Sequence, residues 1–271
     1  MTTPAQQTET RAAETPRALA LDLSVHELTL LLQLLNVPRL LGFVPESPVE
    51  SPVREVLIDV LRARALLQLD QDGALGIQAD AQLIVLSGAL CPLALSITVA
   101  QGAQQTEQHW IYVMPNLVVY HSAPQPNIHR FVTVPEPATL AALVARLMGI
   151  DPERTAQADD AGITLSQEDW SRISVTAYGD AQPDVIAAML EEIGLSQALI
   201  IGMTQAQRRS ALAMLRIGVD QARQERLLLV LDSPNGYWSV QSAGEHFVIL
   251  PADGRTLINR LLDFLRQSVS A

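Results

Sequence analysis

Histidine is the side chain in this sequence best suited to proton transfer or metal binding, and the chain has five of them. His121 and His129 flank a loop that contains Pro124 and Pro126, and they could meet across two adjacent strands. A metal site would need further ligands, and the sequence offers no evident carboxylate beside the pair. We therefore interpret both as exposed histidines at strand ends, and we predict no metal ion and no other cofactor.

Sequence motifs of the common enzyme classes are absent. The chain contains no GxSxG, no GxGxxG after a strand, no HExxH and no CxxC. Its 18 basic residues are all arginine, which excludes Schiff-base and P-loop lysines. The one cysteine, Cys91, lies in an apolar stretch before Pro92 and is typical of a buried, unreactive thiol. We therefore expect no catalytic residues and a protein that is not an enzyme.

Charge and hydropathy argue against two classes of partner. The net charge of −11 repels the phosphate backbone of nucleic acids. The longest apolar run, 83–95, is interrupted by polar and turn-forming residues and is shorter than the roughly 18 residues needed to insert into a membrane. Residues 1–17 are polar, and we interpret them as a disordered tail without a signal peptide. With a single cysteine, these features predict a cytoplasmic protein.

Two large aromatic residues, Tyr237 and Trp238, are adjacent on a predicted strand and must point to opposite faces of it. Either one of them faces solvent or a partner, or both pack into a core with a helix on each side. Together with His121, Pro124 and Pro126, they are our candidate partner-binding residues.

The elements that must position these side chains follow from the apolar pattern. Ser24 and Glu27 resemble a capping box, which predicts a helix that ends near Asn36. The remaining predictions for the first half are helices over 53–67 and 79–90, strands over 93–100, 108–114, 117–121 and 130–134, and a helix over 138–148.

Residues 151–162 are polar and predict a linker to a second half. That half is predicted to begin with a helix capped by Ser166, and Thr204 is predicted to cap a later helix. The full set for this half is helices over 183–193, 195–202 and 205–220, strands over 226–231, 237–241 and 245–250, and a final helix over 255–266 after Asp253.

Both halves end in similar sequences. RFVTVPEPATL at 130–140 resembles HFVILPADGRTL at 246–257, with Pro135 and Pro251 each ending a strand. The shared unit is three strands, a proline and a helix, and a three-stranded meander needs such a helix to cover its apolar face. Chance similarity is the alternative to duplication. We predict an α+β fold with an antiparallel sheet and flanking helices, built from two related halves, 18–150 and 163–271, that form one pseudo-symmetric domain.

The closing segment also resembles a known family. LVLDSPNGYWSVQSAGEHFVILPADGRTLINRLLDFL at 229–265 is similar to the end of EspG-type proteins, cytosolic chaperones of type VII (ESX) secretion. Asp232, Pro234 and Gly236 match the family's turn, whereas Ser233 and Tyr237 replace its usual Thr and Arg. The likeness extends over about 20–267. It implies two related subdomains around a central antiparallel sheet and a non-enzymatic role, in which a secreted helical PE–PPE-type partner is kept soluble until export.

The leading hypothesis is thus a chaperone or adaptor that covers an apolar helical tip of its partner. The mean hydropathy of +0.19 favours it, because so many aliphatic residues could leave an apolar patch exposed. The alternative is a regulatory protein that binds a small molecule or peptide at a site between the two halves. An unrecognised hydrolase ranks third, since no histidine has a positioned acid in the sequence.

Overall fold

A ten-stranded antiparallel sheet forms the centre of the molecule. The structure is a computed structural model that describes residues 19–102, 105–134, 137–156, 162–177, 183–217 and 222–269. Eight helices flank the sheet in these ranges, so the predicted α+β class with an antiparallel sheet is confirmed. The predicted tail at 1–17 and the strand-ending Pro135 lie outside them.

The N-terminal half begins with a short strand and ends with a helix. A capping box starts α1 as predicted, because Ser24 Oγ accepts from Glu27 N and the Glu27 carboxylate accepts from Ser24 N. The elements are β1 (Ala20–Ser24), α1 (Val25–Leu34), α2 (Val53–Ala63), β2 (Leu67–Leu69), β3 (Leu75–Ile77), α3 (Ala79–Leu90), β4 (Leu93–Gln101), β5 (Gln105–Met114), β6 (Leu117–Gln125), β7 (Ile128–Val134) and α4 (Pro137–Met148).

The C-terminal half has the same plan. Asp253 caps the last helix as predicted, since its Oδ1 accepts from Thr256 N at 2.6 Å. The elements are β8 (Ile163–Ser166), α5 (Gln167–Ala177), α6 (Pro183–Glu192), α7 (Gln197–Thr204), β9 (Arg208–Ile217), β10 (Ala222–Ser233), β11 (Gly236–Ala243), β12 (His246–Ala252) and α8 (Gly254–Val269).

The strand order is β1-β7-β6-β5-β4-β9-β10-β11-β12-β8. In each half a four-stranded meander is followed by a helix, and the first strand of the half pairs with the last strand of the meander. The halves meet where β4 pairs with β9, so their hydrogen bonding is continuous. The strand order is repeated, and the relation of the two halves by duplication of one unit stays a prediction.

Apolar residues fill three clusters, one on one face of the sheet and two on the other. Helices α4 and α8 cover the middle of the first face, in a cluster that takes strand residues from both halves. On the opposite face, α1, α2 and α3 cover the N-terminal half, and α5, α6 and α7 cover the C-terminal half. No helix in the described ranges is long and apolar enough to cross a membrane.

The helix predicted over 205–220 is wrong, because residues 208–217 form β9. Ser210, Leu212 and Met214 are buried on alternate positions, and β9 is hydrogen-bonded to β4 and to β10. Thr204 therefore caps no following helix; it ends α7 and donates its hydroxyl to Ile200 O at 2.7 Å.

Other predicted boundaries need smaller corrections. The helix predicted after Ser166 is preceded by β8, and β12 continues through Pro251 to Ala252 without ending at the proline. The meander of the second half therefore has four strands, one more than the predicted unit. Strand β1 and the β2–β3 hairpin were not predicted.

The described start of the predicted linker packs against the C-terminal half. The Arg154 guanidinium lies 2.7 Å from the Asp232 carboxylate, and Arg154 O accepts from Gly254 N at 2.8 Å. Residues 157–161 of that linker lie outside the described ranges.

Candidate binding groove

A groove of about 920 Å³ opens beside the hairpin turn between β6 and β7. Its lining includes the start of α1 and the segment 42–50 that leads to α2. Pro126 and Asn127 of the hairpin turn and His129 of β7 also line the groove. Every described lining residue belongs to the N-terminal half.

Local hydrogen bonds fix the walls of the groove. Val25 N donates to Asn127 O at 3.0 Å, which ties the hairpin turn to the first turn of α1. Leu40 and Phe43 form an isolated antiparallel bridge, and Leu41 N donates to Gly88 O at 3.1 Å. These bonds hold the segment before α2 against α3 and the sheet.

Gly42 makes that tight bridge possible. Its φ is +77°, a conformation that side chains disfavour, and a Cβ there would lie 2.1 Å from Trp110 Nε1. The indole of Trp110 therefore packs directly against the backbone of the groove wall.

A chain of three polar side chains runs beneath the groove. The Tyr112 hydroxyl lies 2.6 Å from Leu41 O and 2.6 Å from His121 Nδ1. His121 Nε2 lies 2.9 Å from His129 Nδ1. This series of hydrogen bonds thus connects Leu41, the residue before the segment 42–50, to the imidazole of His129 in the lining of the groove.

Aromatic stacking orients the two imidazoles. His121 stacks on Phe131 with ring centroids 4.3 Å apart and planes 7° apart. Phe43 meets the His129 ring edge-on, with centroids 4.7 Å apart. The apolar surroundings also favour the neutral side chains: burial and the adjacent His129 lower the pKa of His121 to about 3, and burial lowers the pKa of His129.

The predicted meeting of His121 and His129 is confirmed, but the prediction that both are exposed is wrong. Their exposed fractions are 1% and 7%. The reason is that the segment around Phe43 folds over this end of the sheet, which the local sequence of the two strands could not indicate. Within the described ranges no three or more His, Cys, Asp or Glu side chains group closely enough to hold a metal ion.

The predicted binding residues fall in two places. Pro124 and Pro126 are exposed on the hairpin, and Pro126 lines the groove above the buried His121. Tyr237 and Trp238 lie in the C-terminal half, away from the lining of the groove. Of the three predicted residues of the first half, the structure thus places only Pro126 in the lining of the groove, and the aromatic pair lies elsewhere.

Tyr237 and Trp238 both pack in the core, on opposite faces of the sheet, so the alternative that one faces solvent is wrong. The Tyr237 hydroxyl accepts from Asp151 N at 2.9 Å, and Trp238 Nε1 donates to Asn235 Oδ1 at 3.2 Å. A role of this pair in partner binding would have to act through the backbone segments that they support.

Sequence reasoning missed the two acidic residues of the groove, Glu46 and Glu50. Both side chains are exposed on the segment 42–50, and the described lining residues include no arginine. The sequence signal that could have indicated these two residues is their position between Pro45, Pro48 and Pro52, because closely spaced prolines are typical of a turn-rich surface segment. The groove therefore combines acidic groups with apolar walls.

Comparison with known proteins gives a match in fold. No family model and no curated protein matches the sequence. A solved structure, described as the Mycobacterium tuberculosis type VII secretion system chaperone EspG5 in complex with a PE25–PPE41 dimer, matches with a TM-score of 0.65 and 15% sequence identity. The match covers 91% of this chain and 96% of that chain. The predicted resemblance is thus confirmed at the level of the fold.

Proposed function

We propose that this protein is a non-enzymatic cytosolic chaperone or adaptor that binds a helical secretion substrate of the PE–PPE type. The observation that carries the proposal is the shared fold with EspG5 over nearly the whole length of both chains. A fold alone does not determine function, so the proposal needs support from the surface and from the chemistry of the chain.

Exposed apolar surface supports a role in protein binding. Val53, Val56 and Val60 recur at helical spacing on α2, and their exposed fractions are 50%, 61% and 40%. Val44, on the wall of the groove before α2, is 66% exposed. Clustered exposed valines are typical of a surface that another protein covers.

The side-chain chemistry supports a non-enzymatic role. His121 and His129 are the two histidines that meet, and their hydrogen bonds within the described ranges go to each other and to Tyr112. A hydrolase would need an acid to orient such a histidine and a nucleophile beside it. The buried series of hydrogen bonds from Tyr112 through His121 to His129 therefore favours a structural role for His121.

Co-expression tests the proposal. The full chain, carrying an affinity tag, is expressed with each PE–PPE-type pair encoded in the same genome, and the purified material is measured by size-exclusion chromatography with light scattering. We expect one pair to co-elute as a stoichiometric complex and to gain soluble yield. The gain follows because the chaperone would cover apolar surface that otherwise aggregates.

Two controls define the result. Each pair is also expressed alone, and with an unrelated acidic protein of similar size. If every pair is equally soluble in all three conditions and none co-elutes with the chain, the chaperone proposal is wrong.

A further inference from the structure

The direction of each hydrogen bond beneath the groove is fixed by one carbonyl group. Leu41 O can only accept, so the Tyr112 hydroxyl, 2.6 Å away, must donate its single hydrogen there. The Tyr112 oxygen is then free only to accept, and His121 Nδ1, 2.6 Å away, must carry a hydrogen and donate it.

The same logic continues to the groove. A neutral imidazole carries one hydrogen, so His121 Nε2 has a lone pair and accepts from His129 Nδ1 at 2.9 Å. Neutral His129 then has no hydrogen on Nε2, which is left with a lone pair. His129 is 7% exposed and lines the groove, and no hydrogen bond to its Nε2 is found in the described ranges.

Two further groups of the groove also call for a hydrogen-bond donor, whereas the hydroxyls of Ser24, Thr29 and Ser47 and the Asn127 side-chain amide can both donate and accept. Glu46 and Glu50 carry exposed carboxylates that form no ion pair with the described residues. Ser24 Oγ and Asn127 O are already used as acceptors within the protein. His26 is the one other ionisable lining residue in the described chain, and it is exposed on the α1 side. Beside these acceptors, Phe43, Val44 and Pro48 provide apolar wall.

We propose that this groove binds a guanidinium or primary ammonium group on an aliphatic stem. The cation donates a hydrogen to His129 Nε2 and is attracted by Glu46 and Glu50, while the stem packs on Val44 and Pro48. An arginine or lysine side chain of an extended peptide has this chemistry, and so does a free polyamine. The site shares Val44 with the exposed valines that support the chaperone role, but it is tested with small probes and without a protein partner, so either proposal can fail without the other.

Titration calorimetry on the full chain distinguishes the two sources. The probes are acetyl-Gly-Arg-Gly-amide, its glutamine counterpart acetyl-Gly-Gln-Gly-amide, and spermidine. We expect saturable binding of the arginine peptide or of spermidine, and none of the glutamine peptide. Binding of the arginine peptide alone assigns the site to a peptide side chain, and binding of spermidine alone assigns it to a free polyamine.

Charge variants test the location. Glu46→Gln with Glu50→Gln should weaken the Kd for the binding probe about tenfold, because two attractive charges are lost at an exposed site. Glu191→Gln with Glu192→Gln, on the exposed face of α6, makes the same change in net charge elsewhere. This control should leave the Kd unchanged, which separates a site from general attraction to an acidic protein.

A third variant tests the lone pair. His129→Asn keeps an N–H that can reach His121, and because its side chain is shorter it leaves no acceptor at the position of Nε2, so it should also weaken binding several-fold. In the unchanged protein, ¹⁵N NMR of labelled histidine should show His129 Nε2 without a hydrogen, and its signal should shift when the probe is added.

Three results would overturn the proposal. These are no binding of either cationic probe at millimolar concentration, equal Kd values in the Glu46/Glu50 and Glu191/Glu192 variants, or a hydrogen on His129 Nε2 in the free protein. The glutamate variants alter only exposed side chains, so they remain informative if His129→Asn fails to fold.

Discussion

At the scale of single residues, the buried imidazole of His121 should make stability depend on pH. Its pKa is about 3 in the folded protein and 6.5 in the ordinary state, because burial and the neighbouring His129 disfavour the charged form. Between these values the unfolded chain binds a proton at His121 that the folded chain does not bind. The free energy of unfolding therefore falls as the pH falls from 6.5 towards 3, by at most about 1.4 kcal/mol per pH unit from this residue.

Urea unfolding at pH 7, 6 and 5 measures this slope. His121→Asn removes the titrating group, so the variant should lose less stability than the unchanged protein over the same pH range. His246→Asn, on an exposed position of β12, is the matched control and should keep the original slope. Equal slopes in all three proteins would show that His121 is not held neutral by burial.

The residue scale also shows what local sequence could and could not reveal. The proximity of His121 and His129 followed from two strands joined by a short loop, which is a local property. Their burial depends on Phe43, which is far from them in sequence and reaches His129 only in the folded structure. The donor direction that exposes a lone pair depends on Leu41 O, which is equally distant along the chain.

At the scale of elements, β9 shows that helix propensity alone can give the wrong secondary structure. Its sequence, RRSALAMLRI, is rich in arginine, alanine, leucine and methionine, which are among the strongest helix formers. The two sheet neighbours, β4 and β10, instead provide hydrogen bonds to both of its edges, and apolar layers lie on both of its faces. Tertiary pairing outweighs local preference here. The other meander strands were predictable because turn residues separate them.

The packing of α7 on the sheet gives an element-scale prediction. Gly202 lies in α7, and a Cβ there would meet Trp238 Nε1 at 2.4 Å. Alanine in a helix is otherwise favoured over glycine by about 1 kcal/mol, so an unopposed Gly202→Ala change would stabilise the protein. We expect the opposite, a loss of about 1–3 kcal/mol, because the methyl group forces α7 and the indole apart.

A double-mutant cycle in urea checks the cause. Trp238→Phe alone should destabilise through a cavity, yet combined with Gly202→Ala it should cost less than the sum of the two single changes. Additive losses, or a stabilised Gly202→Ala protein, would show that a methyl group at position 202 fits between α7 and the Trp238 indole without displacing either.

At the scale of the whole molecule, one apolar cluster joins the two halves. It includes Leu95 and Ile97 of β4, Leu212 of β9 and residues of α4 and α8. The apolar pattern and the repeated closing units were sufficient to predict the α+β class with an antiparallel sheet. They could not show that β4 and β9 pair, because that contact joins strands more than a hundred residues apart and β9 carried a helix-like sequence.

This shared cluster predicts that the halves unfold together. Neither half can keep α4 or α8 packed once the other has lost its strands, so a state with one half folded would expose a large apolar surface. Two single-tryptophan proteins report on the halves: one keeps Trp110, which packs in the N-terminal cluster, and the other keeps Trp238, which is fully buried in the C-terminal cluster. In each, the other two tryptophans are changed to phenylalanine.

We expect tryptophan fluorescence and far-UV circular dichroism to give the same urea midpoint within each of these two proteins. Adding Leu190→Ala, a cavity-forming change at a fully buried residue of α6 in the C-terminal half, should also lower the midpoint reported by Trp110, because the N-terminal half loses its packing when the shared cluster opens. A Trp110 transition whose midpoint is unchanged by Leu190→Ala, or differs from the midpoint given by circular dichroism, would mean that β4 and β9 join two independently stable domains. In that case the continuous sheet would be a contact between domains that fold separately.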